Sequence, residues 1–463
     1  MFRIICKAFD VGDIAISWLI CKLHLQHIPI LISIQICKLR SGKSASHRLL
    51  IAVKNAIASF SWLTCKLGVA MSADNPPPAP VEDGSAGLSD FLTGMLFILP
   101  LLAAYFMVFI IMMVGDRCNS DANFKSGLSC RKWTGTGCTG KRCVQTTVAS
   151  PFDTVDNSLP FNKYAFLTTH NSFSITDIPT FTLFNQEDSV TDQLNNVVRA
   201  LMLDLYDFRE DIWLCHSYGG TCKDATAFEP AIGIMREIEA FLVMNTSEVV
   251  TLILEDYVKS HRGLSKLFIK TGLTKYWFPV SRMPRNGEDW PRVSDMIRLN
   301  RRLLVFTSNR FKESSEGIAY QWNYMVENMY GDVGMDSRVC RNRSESAVLS
   351  DRSKSLVLVN YFRSRPVQGT TCMEHSRGLV EVLHTCHTAA GNRWANFLAV
   401  DYYKRSNGGG VFQAVDMLNG MLICGHDDVH ACGGWTSPPL FLFRFLRGLF
   451  LKPAAYLWQA VLL

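Results

Sequence analysis

Thr169-His170-Asn171-Ser172, Leu203-Asp204-Leu205-Tyr206-Asp207 and Trp213-Leu214-Cys215-His216-Ser217 are the runs on which the fold turns. Each carries apolar or β-branched residues into a histidine or a carboxylate, the pattern of a buried strand with a polar residue at its exit. Two imidazoles with a carboxylate between them can work as a base and acid pair, because histidine titrates nearest neutrality. Further strand candidates flank these runs. The set comprises 164–170, 200–206, 249–255, 302–308, 355–361 and 395–402, with helical patterns at 228–244 and 410–422. Strand–helix alternation of this kind predicts an α/β fold, a parallel barrel of about eight strands, with its chemistry at the C-terminal strand ends. That is where the polar residues fall: His170-Asn171, Asp204, Glu255-Asp256, Ser308-Asn309, Asn360 and Asp401.

The chain of 463 residues has room for one large domain and appendages, and its net charge is +6. Residues 1–70 carry nine Lys/Arg against Asp10 and Asp13, which leaves the rest near −1. A basic groove for nucleic acid is therefore not expected. Of fifteen cysteines, Cys6, Cys21, Cys37 and Cys65 lie in the N-terminal extension and eleven follow residue 115. The close pairs Cys215/Cys222, Cys372/Cys386 and Cys424/Cys432 suggest short disulfide loops and an oxidising compartment. Zinc is the competing reading for Cys118, Cys130, Cys138 and Cys143, although no Cys-x-x-Cys pair is present. Asn245-Thr246-Ser247 and Asn342-Arg343-Ser344 are sequons, which fit secretion.

Residues 91–114 form an uncharged apolar run of membrane-spanning length, read as a membrane anchor or uncleaved signal. The charges flanking it favour a cytosolic downstream domain. The cysteines favour an extracytoplasmic one, on the cell surface or in the secretory pathway, and are given more weight. Before this run lie an extension and a Pro-rich linker (1–90), with Met71 a candidate start. After it come a Cys-containing linker (115–157), the barrel (158–432) and an apolar, basic tail (433–463) suited to a membrane surface.

Asn171, Asp204 and Glu255 are oxygen donors that suit a hard divalent cation. His170 and His216 would stand on either side of it, placed to move protons across a phosphodiester while the metal neutralises a phosphoryl oxygen. No Gly-x-Ser-x-Gly elbow, Walker loop or dinucleotide fingerprint competes with this reading. Gly408-Gly409-Gly410 opens a helix whose amides could meet a phosphate, or is simply a turn.

The runs Leu167–Phe173, Arg199–Phe208, Trp213–Ser217 and Val250–Glu255, extended by Ala399–Tyr403 and Gly408–Asp416, resemble the X domain of phosphatidylinositol-specific phospholipase C. They are most similar to plant single-domain proteins that carry only this domain. The resemblance implies a distorted TIM barrel that cleaves a phospholipid or glycophospholipid on the glycerol side of phosphate. It implies that His170 assists attack by the inositol hydroxyl and that His216 protonates the departing diacylglycerol. It further implies that Asn171, Asp204 and Glu255 hold Ca2+. A metal-independent mechanism is the alternative, but relatives of that kind have Arg and Lys at the positions of Asp204 and Glu255. Asp401, Tyr403 and Arg363 are expected to line the headgroup pocket. One departure stands out: Met202 occupies the position of a metal-binding Glu, for which Asp256 or Asp207 would have to compensate. It supports a second reading, a catalytically weak, membrane-anchored headgroup-binding protein; a third, a glycerophosphodiesterase or sphingomyelinase D-like enzyme, uses a similar His, carboxylate and metal set but favours Glu at the position of Met202.

Overall fold

In the computed structural model, the described residues are 114–433, except 122–127, 136, 151, 153–156, 177–182 and 218. The 91–114 run, the extension before it and the 434–463 tail therefore lie outside them, apart from Val114. Among the described residues no helix is long and apolar enough to cross a membrane.

Alternation along each strand builds the barrel. Among the described residues twelve strands are present: β1 (Leu128–Lys132), β2 (Lys141–Gln145), β3 (Phe166–Thr169), β4 (Ala200–Phe208), β5 (Asp211–Cys215), β6 (Ala227–Pro230), β7 (Val250–Tyr257), β8 (Leu303–Thr307), β9 (Ala319–Tyr320), β10 (Met325–Glu327), β11 (Leu356–Tyr361) and β12 (Phe397–Val400). Eight of them form one parallel sheet in the order β10-β11-β12-β3-β4-β7-β8-β9. Alternate residues from all eight meet in a single cluster: Phe166, Ala200, Ile253, Phe306, Ala319, Met325, Leu358 and Phe397. Strands that share one inner core are curled around it, which makes this sheet a barrel. It is interrupted between β9 and β10, which no ladder joins. The six expected strands are all present. β9 and β10 escaped the sequence reading because runs of two and three residues carry no period.

The intervening residues (Leu167, Leu203, Leu252, Val305, Val326, Val359 and Leu398) face outward into a second cluster beneath the helices. Those helices are α1 (Val190–Asn195), α2 (Ala231–Met244), α3 (Gly263–Lys270), α4 (Val293–Arg298), α5 (Phe311–Glu316), α6 (Leu379–Ala389) and α7 (Gly410–Ile423). α2 contributes Ile234, Ile238 and Leu242, and α7 contributes Val411, Val415 and Leu418, each a face of helical period.

Among the described residues five disulfides pin the loops: Cys118–Cys130, Cys138–Cys372, Cys215–Cys222, Cys340–Cys386 and Cys424–Cys432. Two of the three expected short pairs are present. The third is corrected, since Cys372 and Cys386 bond to distant partners instead of each other, a pairing that chain proximity could not reveal. Because Cys118, Cys130 and Cys138 are all bonded, the zinc reading of that cluster is excluded, and Cys143 is a buried free thiol. The Gly408–Gly410 run is a packing junction: Gly408, at φ 121°, lies so close to Gly115 that a Cβ would collide with its backbone.

Candidate active site

The inward alternation that makes the core also makes the site. One step beyond the last apolar inward residue, the barrel presents His170, Asp204, Glu255, Ser308, Glu327, Asn360 and Asp401 at its C-terminal mouth.

His170 and His216 meet because of how β4 is shared. The β3 ladder on β4 ends at Thr169↔Leu201, while β7 runs along β4's opposite edge as far as Tyr206. β5 therefore returns along the edge that β3 has vacated, antiparallel to β4 and beginning its register at Leu205↔Leu214. His170 follows β3 and His216 follows β5, so the two histidines approach the same stretch of β4 from opposite directions. The Cys215–Cys222 bond and the His216 N–H to Thr226 carbonyl bond of 3.0 Å fix the second one.

Each imidazole has a distinct setting. His170 Nδ1 lies 2.9 Å from Asp401 Oδ1, and its ring stacks on Phe362 with centroids 3.6 Å apart and planes 4° apart. With a carboxylate at Nδ1, the proton sits there and Nε2 is left to face the mouth. Buried Asn185 donates to the same Asp401 oxygen at 2.9 Å and receives the Asn171 amide at 3.5 Å. Asn171 takes the left-handed φ of 43°, which asparagine tolerates better than most residues. Asp401 Oδ2 and His216 Nδ1 are buried with no hydrogen-bond partner. Burial and the neighbouring His170 lower the pKa of His216 below the ordinary imidazole value, against the opposing pull of a hydrogen bond to the Leu183 backbone and of Asp401 and Glu255. The resting ring is thus neutral, and an arriving anion would favour its protonated form.

Asp204 and Glu255 are register partners on β4 and β7. Burial, then the Glu255 charge, raises the Asp204 pKa well above the carboxylate range, and Arg343 partly offsets this. Glu255 Oε1 accepts from Tyr257 Oη at 2.5 Å, and the Tyr257 ring stacks on Tyr206 with centroids 4.5 Å apart. Met202, one inward step below Asp204, packs on the barrel core. Neither proposed substitute for the missing carboxylate reaches the mouth. Asp256 faces outward, accepting from Thr307 Oγ1 at 2.8 Å and the Val258 N–H at 2.9 Å. Asp207 caps the Lys259 and Ser260 amides at 2.6 and 2.8 Å.

One of the expected pocket residues is corrected. Tyr403 packs in the core beneath the helices, its hydroxyl donating to Asp188 Oδ2 at 2.6 Å. Arg363, just past β11, pairs with Glu374 at 2.5 Å and Asp332 at 3.6 Å and lines a small cleft together with Phe362 and Asp401. Asp401 does reach the mouth, as the partner of His170. Sequence reading missed Asn185, Phe362, Glu327 and Arg343, which lie in loops or beside strands too short to register. A cavity of about 640 Å³ runs along Val280–Pro291 and holds none of these groups. A smaller cleft is lined by Phe362, Glu374, His375 and Asp401.

A parallel barrel with paired imidazoles and apposed carboxylates at its mouth defines the class: a (β/α) barrel equipped for acid–base chemistry. The PI-PLC X family model (PI-PLC X 1) matches residues 158–419, and the chain belongs to that family. A PI-PLC X domain-containing protein of Arabidopsis thaliana is 52% identical over 323 residues, covering 68% of this chain and 76% of its own length. An uncharacterized secreted protein of Arthroderma benhamiae is 24% identical over 311 residues, covering 61% of this chain and 68% of its own. Among solved structures, a phosphatidylinositol-specific phospholipase C from Listeria monocytogenes aligns with TM-score 0.39 and 14% identity, covering 58% of this chain and 97% of its own. A variant of the Staphylococcus aureus enzyme aligns with TM-score 0.37 and 12% identity, covering 61% and 95%.

Proposed function

We propose that this protein is a phosphoric diester hydrolase of the phospholipase C type that cleaves a phospholipid headgroup. The observation that carries the reading is the His170–Asp401 pair standing beside His216 at one barrel mouth. His170, its Nδ1 proton held by Asp401, takes the proton of the attacking headgroup hydroxyl at Nε2. His216, charged once the phosphate anion is beside it, returns a proton to the diacylglycerol oxygen as the P–O bond breaks. Each such transfer contributes about 10²–10⁴ in rate.

Asn171, Asp204 and Glu255 would hold a divalent cation such as Ca2+. Two carboxylates pressed together by burial suit one, since a cation relieves the repulsion that raises the Asp204 pKa. When bound it would neutralise phosphoryl charge. Five disulfides and the exposed sequon Asn342 support a secretory or cell-surface location, with a membrane carrying the substrate.

The test is release of water-soluble phosphate by the full chain from phosphatidylinositol vesicles, with and without chelator. Release that chelator abolishes and His216→Ala removes is the expected result. Unchanged release by His216→Ala would overturn the acid–base assignment.

A further inference from the structure

Across the mouth from the Asp204–Glu255 pair, the chain has built a rigid seat for a cation. Glu327 ends β10 on the inward register and is fully buried. Its oxygens receive Gln321 Nε2, Trp322 Nε1 and Asn360 Nδ2, each at 2.8 Å, and Arg343 Nη1 at 3.3 Å. A carboxylate that saturated is an anchor rather than a ligand. The Arg343 guanidinium is held further by Glu345 at 3.2 Å and lies over the Trp322 and Tyr330 rings, 5.3 and 4.9 Å from their centroids. Its side chain is 15% exposed, and a second N–H on each terminal nitrogen remains beyond these bonds. Its charge is felt at Asp204, and that of Glu255 is felt at Arg343, so all three share one mouth. Next to Glu327, Asn360 is 1% exposed and its Oδ1 has no partner. This is an unmet acceptor on the inward register beside the guanidinium.

We propose that Arg343 is a substrate-binding residue whose guanidinium, seated by Glu327, contacts the phosphate of the bound ligand. The physical need is plain: a phosphodiester anion entering past Asp204 and Glu255 meets two acids, and a fixed guanidinium supplies the attraction that orients it. Met202 sharpens that need. With one carboxylate fewer than the family pattern, the site attracts a metal less, and an arginine can carry part of the phosphate's charge. Phe362 and Asp401, which hold His170, lie on the β11–β12 side of the same mouth. The inference rests on the reading above in one respect, that the ligand carries a phosphate.

The probe is inorganic phosphate, titrated calorimetrically into the full chain in chelator so that no metal can be its partner. Arg343→Met is expected to weaken phosphate binding at least about tenfold, and Arg343→Lys by no more than about threefold, because the charge persists without the fork. Turnover should follow, with KM for vesicle substrate rising in Arg343→Met more than kcat falls. Glu327 keeps three donors after Arg343→Met, so folding is expected to survive, and a thermal melt checks it. Equal phosphate affinity in wild type and Arg343→Met overturns the proposal, as does a wild type that binds no phosphate in chelator. His216→Ala separates the two claims. It should lose turnover while Arg343→Met still weakens phosphate binding in the same background, and if it keeps turnover the acid–base reading fails while the Arg343 result stands.

Discussion

Replacing Asp401 by Asn tests the centre of the site with minimal change of shape. Asp401 Oδ1 accepts from both His170 Nδ1, at 2.9 Å, and Asn185 Nδ2, at 2.9 Å. An amide at 401 can turn an N–H toward His170 Nδ1. Asn185, 3.3 Å from that nitrogen, offers only an N–H as well. The neutral ring would then carry its proton on Nε2 and could not accept one there. Stacking on Phe362 still holds the ring plane, so the loss falls short of removing the base altogether. A fall in kcat of about 10²–10³, about 2.7–4.1 kcal/mol, is expected. The pH optimum should move too. Asp401 supports the charged form of His216, so the variant lowers the pKa of His216 further and the alkaline limb, set by loss of the general acid's proton, shifts to lower pH. Stability should change by under about 2 kcal/mol, because the second Asp401 oxygen has no partner to lose. The assay is phosphate release from phosphatidylinositol vesicles across pH, with melts in parallel. A variant with wild-type kcat and an unmoved profile would refute the reasoning.

Met202→Glu should raise Ca2+ affinity at least about tenfold by calorimetry, and lower the melting temperature in chelator, because three acids then crowd one mouth. Removing Cys138–Cys372, which closes a loop of 234 residues, should cost up to about 5 kcal/mol, against about 2 kcal/mol for Cys215–Cys222, which closes seven. Denaturant unfolding of the two double-serine variants orders them. His375, fully buried with Nδ1 on the Arg405 carbonyl, has its pKa lowered by burial to about 4. The unfolded chain takes this proton first, so the contribution is complete above about pH 6.5 and lost as pH falls toward 4, up to about 3 kcal/mol. His375→Asn should flatten that part of the stability–pH curve. Ile253→Ala, inside the barrel, should cost about 2–5 kcal/mol by denaturant titration.

Six strands, the parallel barrel and most polar strand ends were readable from the chain alone, because period-two burial is written locally in runs such as Val250–Tyr257 and Leu356–Tyr361. A strand's own alternation also decides that Asp204 and Glu255 share a face with the core residues that precede them. What the chain could not disclose depends on partners far away in sequence. The meeting of His170 with His216 follows from β3 ending early on an edge of β4 that β5 then takes. The His170–Asp401 pair spans 231 residues through the β12–β3 ladder. Cys372 and Cys386 sit close in the chain yet bond to Cys138 and Cys340. Tyr403 follows a strand end as closely as Asp401 does, and only packing turned it away from the mouth. Arg343 has no strand to announce it; a buried glutamate and two aromatic rings hold its charge at the mouth, a placement that exists only once the barrel has closed around them.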